Sequence, residues 1–187
     1  MAQKHLPIIL ERKEVEKLLD QPSKKSLTGI RNKAIMKIIA NCGLRVSEIT
    51  NLRTSEIDLE TEKFRVVNGK GGKDRDLAIP PLTLGVLKDW QKKKPESDYF
   101  FPTLKGSQLG VRYLQQMIKR YALKAGISKR ITPHSLRHFY ATEHYRKERD
   151  IEALRQILGH ESISTTTIYI TLANIEVEES MKAVKEV

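Results

Sequence analysis

His134 and Arg137 stand three residues apart, directly after Thr132-Pro133. Threonine followed by proline caps and opens a helix, so both side chains fall on one face near a helix N-terminus. That end carries free backbone N–H groups and partial positive charge, and a guanidinium is a planar fork that matches two phosphate oxygens. The chemistry favoured is the holding of one phosphate. In isolation the same pair also fits a surface histidine and arginine of a basic protein.

The elements that must position these residues follow from periodicity and punctuation. Residues 10–20 place Leu10, Val15, Leu18 and Leu19 at helical spacing, and residues 28–42 place Ile30, Ala34, Ile35, Ile38 and Ile39 on one stripe that runs into Gly43, a left-handed stop. Val46, Ile49 and Leu52 predict another helical stretch. Residues 64–67 and 76–79 predict two strands around the turn 68–73, a β-hairpin. Residues 82–93 are helical in pattern. Ser107 is the expected cap of a helix that passes through Leu114, Ile118 and Tyr121 and closes at Gly126. Thr132 opens a helix to about Lys147, Asp150 caps another over 151–158 that Gly159 ends, and Ser162 or Ser164 starts a short turn containing Tyr169. The expectation is a mainly α protein with a small antiparallel sheet (α+β).

Composition bounds the class. With 187 residues the chain suits one domain, and 34 Lys+Arg against 23 Asp+Glu give a formal net charge of +11. That excess favours a polyanionic partner, nucleic acid first, though a membrane surface or solubility alone would produce the same number. No apolar run reaches membrane-spanning length, and a single cysteine, Cys42, cannot form an internal disulfide, so a cytoplasmic location is expected.

An ordered set of short motifs goes further: Gly43-Leu44-Arg45-Val46-Ser47-Glu48, Gly69-Lys70-Gly71, His134-Ser135-Leu136-Arg137-His138, Leu158-Gly159-His160, and Tyr169 nine positions after His160. From about Leu6 to Tyr169 the chain resembles the tyrosine recombinase (phage integrase) family, with wording nearest to Xer-type members. The resemblance implies the family's catalytic-domain fold and a site-specific recombinase that cuts and rejoins double-stranded DNA through a 3′-phosphotyrosine. It implies that Arg45 and Arg137 clamp the scissile phosphate, that Lys70 protonates the departing 5′ oxygen, and that His134 assists proton transfer. It further makes His160 a second phosphate donor, Glu48 the acid that orients the cations, and Tyr169 the nucleophile. Lys73 lies only three residues from Lys70; these two with Arg75 are the expected DNA contacts of the hairpin. His138 is left structural. No cofactor and no metal are expected, because transesterification conserves bond energy in the link.

Family members carry a helical core-binding domain ahead of the catalytic one, and Leu6-Pro7 falls where the catalytic domain begins. The chain is accordingly divided into residues 1–173, the catalytic domain, and 174–187, a tail that docks in cis or on a neighbouring protomer in a tetramer on DNA; the free protein is expected as a monomer or weak oligomer. Two other readings stay open: a type IB topoisomerase, which uses much the same residues, and a non-catalytic DNA-binding module.

Overall fold

Helix ends in this chain are set by local chemistry, and the computed structural model, which describes residues 9–67 and 74–183 and side chains through residue 175, shows most of them where those signals fall. Residues 68–73, where a turn is expected and which include Lys70 and Lys73, lie outside the described residues. Helix α1 (Arg12–Leu19) begins at Glu11, whose backbone N–H donates to Glu14 Oε2 at 2.8 Å. Helix α2 (Leu27–Cys42) is capped by Ser26, whose hydroxyl accepts from Gly29 N at 3.1 Å. It is buried around most of its circumference, against α4 (Pro81–Gln91) on one side and α6 (Pro133–Glu148) on the other, so polar Arg31 and Asn32 lie inside as well. They are satisfied there: Arg31 donates to Pro102 O at 2.8 Å and Tyr113 Oη at 2.7 Å, and Asn32 to Tyr121 Oη at 3.2 Å.

The expected hairpin is present as β2 (Lys63–Val66) and β3 (Arg75–Ala78), with Phe64 opposite Leu77 and both buried. A two-residue strand, β1 (Ile57–Asp58), extends it to a three-stranded antiparallel sheet in the order β1-β2-β3; two residues carry no alternation from which a strand can be read. Helix α5 (Val111–Lys124) starts after Gly110. Ser107 does not cap it, because its hydroxyl is engaged with Thr103 Oγ1 at 2.8 Å in the preceding turn.

Short helix α3 (Val46–Asn51) follows Gly43, and α7 (Ile151–Leu158) follows Asp150, whose carboxylate accepts from Glu152 N and Ala153 N, each at 2.9 Å. The expected short turn around Tyr169 is instead the start of a 16-residue helix, α8 (Ile168–Ala183), since no glycine or proline interrupts it. The boundary drawn at 173/174 falls inside this helix. Residues of α6, α7 and α8 form a second small core, with Ala141, Leu154, Leu158, Tyr169 and Leu172 buried together. Among the described residues no helix is long and apolar enough to cross a membrane.

Gly43 is the hinge between α2 and the residues that follow. Its φ of +68° is left-handed, and a Cβ there would stand 2.4 Å from Tyr140 Cδ1. Gly43→Ala is expected to cost about 2 kcal/mol or more, from backbone strain plus the clash, lowering the melting temperature by roughly 5 °C. A melting temperature equal to the wild type would contradict this packing.

Candidate active site

The last carbonyls of a helix have no partner within it and carry the negative end of its dipole. At the end of α7 four successive carbonyls each accept from a different arginine. Ile157 O takes Arg75 Nε at 2.7 Å, Leu158 O takes Arg137 Nη2 at 2.8 Å, Gly159 O takes Arg45 Nη2 at 2.8 Å, and His160 O takes Arg155 Nη1 at 2.8 Å. Three of these cations come from distant places, β3, α6 and the residue before α3, so the end of α7 gathers them. Gly159 makes this possible. Its φ of +59° ends the helix, and a Cβ there would stand 2.9 Å from Arg75 Nη1.

Glu48 is the counter-charge. Its carboxylate accepts from Arg45 Nη1 at 2.8 Å, from the Arg45 backbone N–H at 2.8 Å, and from both terminal nitrogens of Arg75 at 3.0 Å. Burial would push this carboxyl up, but the Arg75 pairing, the Arg45 N–H and the charge of Arg137 outweigh it and hold Glu48 below the usual carboxylate range.

Arg137 is 4% exposed, and besides Leu158 it donates to Gly43 O at 2.5 Å and approaches His160 Nε2 at 3.1 Å. Burial, then the charge of Arg45, lowers it to about 10, so it remains a cation at neutral pH. A guanidinium has no acceptor, so His160 Nε2 must accept, which puts the His160 proton on Nδ1, donating to Thr166 Oγ1 at 2.9 Å. Of the five Arg137 N–H groups these contacts use three. The other two have no acceptor among the described residues.

These groups surround one cavity of about 580 Å³, lined by Arg45, His134, Arg137, His138, His160 and Tyr169. Five of the expected catalytic residues, Arg45, His134, Arg137, His160 and Tyr169, thus meet at one place; Lys70 lies outside the described residues, as does Lys73. Glu48 sits behind the arginines. Arg75, grouped from the sequence with the surface cations of the hairpin, is turned inward onto Glu48 and α7. His138, read as structural, faces the cavity: its Nδ1 is 2.9 Å from the Tyr169 hydroxyl. Its spacing of four from His134 on one helix was the available signal.

The cavity is electropositive and its histidines are neutral. Burial first, then the charges of Arg137 and Arg45, lowers His134 and takes His160 to about 4; burial, His134 and Arg137 take His138 to about 4. Tyr169 is raised by burial, against the pull of Arg137 and Arg45. Neutral imidazoles beside three arginines that share the one carboxylate of Glu48 suit a site that receives an anion.

These shifts carry a pH dependence. A histidine whose folded pKa lies below its unfolded value of about 6.5 is protonated first in the unfolded chain, so stability falls as pH drops from about 6.5 towards 4 and levels off, for these groups, below 4. Thermal melts are expected to lose roughly 5 °C across that window, and inorganic phosphate to recover part of the loss. A constant melting temperature from pH 7 to 4.5 would mean that the histidines are not held neutral.

Compared with known proteins, residues 9–175 match the model described as the Phage integrase family. Tyrosine recombinase XerC of Shewanella amazonensis is 36% identical over 173 residues, covering 90% of this chain and 58% of that protein. Tyrosine recombinase XerA of Pyrococcus furiosus is 35% identical over 183 residues, covering 96% of this chain and 62% of that one. In structure, a XerA recombinase superposes with a TM-score of 0.83 at 31% identity, over 100% of this chain and 67% of that one. The XerH recombinase in a post-cleavage complex with its palindromic difH substrate gives 0.80 at 30%, over 97% and 54%. The chain spans about six-tenths of the length of the curated relatives it matches.

Proposed function

The chain belongs to the phage integrase family, and on that premise we propose that it is the catalytic region of a site-specific DNA recombinase that cleaves and rejoins strands through Tyr169. The observation that carries this reading is the single electropositive cavity in which Arg45, Arg137, His134 and His160 surround the phenol. A phosphodiester seated there meets the N–H groups that Arg45 and Arg137 leave unused. Attack by Tyr169 concentrates negative charge on the non-bridging oxygens, and fixed cationic donors at that point are worth several kcal/mol of barrier.

His160 accepts from Arg137 while the cavity is empty; the phosphate charge raises its pKa, and once protonated at Nε2 it donates to a phosphate oxygen. His134 assists proton transfer, and Lys70 supplies the proton for the departing 5′ oxygen. Glu48 and Arg75 hold Arg45 in place, while Lys73 contacts the backbone near the cut. The product is a 3′-phosphotyrosine with a free 5′ hydroxyl, and attack by a 5′ hydroxyl of a partner strand reverses the step.

The partner is double-stranded DNA in the cytoplasm, in keeping with the difH complex of the XerH relative, and the active assembly is a tetramer on DNA. The segment past residue 173 docks on its own domain or on a neighbour. The test is incubation with nicked suicide duplexes bearing candidate core sites, resolved on a denaturing gel. A covalent protein–DNA band is expected from the wild type and none from Tyr169→Phe. A band that survives the substitution would overturn the assignment.

A further inference from the structure

Helix α6 presents His134, His138 and Ala141 along one face, the spacing of four and then three that lines up side chains on a helix. His134 belongs to the phosphate site and Ala141 to the small core under Tyr169. His138 lies between them and touches the nucleophile itself. Its Nδ1 is 2.9 Å from Tyr169 Oη, the rings are 5.7 Å apart, and Tyr169 is 2% exposed. Among the described residues this is the only hydrogen bond of the phenol. His160 is committed on both nitrogens, Nε2 to Arg137 and Nδ1 to Thr166, and His134 has no hydrogen bond to Tyr169.

Resting on the recombinase reading, we propose that His138 is a catalytic residue, the base that takes the phenol proton from Tyr169 as its oxygen attacks the scissile phosphate. In the step the Tyr169 Oη–phosphorus bond forms and the phosphorus–O5′ bond breaks. The phenol proton passes to His138 Nδ1, and the departing 5′ oxygen takes its proton from a separate donor, Lys70 or water. For this His138 must rest neutral with its proton on Nε2, and its surroundings enforce neutrality. His134 and Arg137 face it from α6 and Tyr169 from α8, with His160 beyond, while burial opposes the charged form. An imidazolium formed there in the empty cavity would be buried beside the Arg137 guanidinium with no carboxylate paired to it among the described residues. The bound phosphate provides the missing negative charge, so the base acts only with DNA in place.

Single-turnover cleavage by the full chain separates this role from packing. His138→Asn keeps an acceptor for the phenol and removes the base. It is expected to cleave roughly 10²–10³-fold more slowly at pH 7. The loss should be equally large on a duplex with a 5′-bridging phosphorothiolate, whose leaving group needs no acid. Its rate should rise about tenfold per pH unit towards the phenol pKa, where the wild type is level. Wild-type rates, or a loss of the same size at every pH, would overturn the proposal. Nitrogen-15 NMR of the free chain gives a readout independent of cleavage: Nε2 protonated, Nδ1 bare, and the Nδ1 signal displaced in Tyr169→Phe. A proton on Nδ1 would also overturn it. If instead the wild type forms no covalent product on any duplex while the NMR result is as expected, the recombinase reading is what fails.

Discussion

Arg137→Lys is expected to lower single-turnover cleavage by roughly a thousandfold or more although the positive charge is kept. Arg137 spans Gly43 O, Leu158 O and His160 Nε2 and still has two N–H groups left for a phosphate. An ammonium is a compact point charge with three donors and cannot reach two carbonyls from separate elements while also gripping a phosphate. Losing one fixed donor to a developing oxyanion costs about 10²–10³ in rate, and the lysine also releases the link between Gly43 and α7. Thermal melts run beside the kinetics separate the chemical loss from unfolding. A lysine variant within about tenfold of the wild type would contradict the bridging role.

Glu48→Gln should have the largest effect on stability. The side chain is nearly isosteric, yet it leaves Arg45 and Arg75 beside Arg137 without their buried counter-charge. Removing one partner from a buried ion pair costs about 3–5 kcal/mol, and urea denaturation reads that directly. Sulfate is expected to restore part of it by entering the cavity. The carboxyl also carries its own pH signature. With a folded pKa below 4.5 its contribution is complete above the unfolded value and disappears as pH falls through the folded one, so the glutamine variant lacks this component of acid lability. A loss under about 1 kcal/mol would mean that solvent rather than Glu48 balances the arginines.

What could be read from the chain in advance was whatever depends on a few adjacent residues. Thr132-Pro133, Asp150, Gly43 and Gly159 announce helix ends because a cap needs only its own next few positions. Arg45, His134, Arg137, His160 and Tyr169 were legible through their motifs, and they meet at one cavity. The misses belong to tertiary structure. Ser107 has a cap's chemistry, but Thr103 engages it first. Arg75 reads as one more hairpin cation, because nothing near it in sequence announces Glu48 or the end of α7. His138 reads as structural because its significance depends on where α8 places Tyr169, 31 residues away.

Linkage of DNA to Tyr169 is the central claim, and peptide mapping of the covalent product tests it most directly. The wild-type chain is trapped on a suicide duplex, the DNA is trimmed with nuclease, and the protein is digested and analysed by mass spectrometry. The account predicts one peptide carrying a nucleotide through a phosphodiester, with fragmentation placing it on Tyr169. A nucleotide on any other residue, such as Tyr140 or a serine of the segment 162–164, would contradict the account even if the chain cleaves DNA.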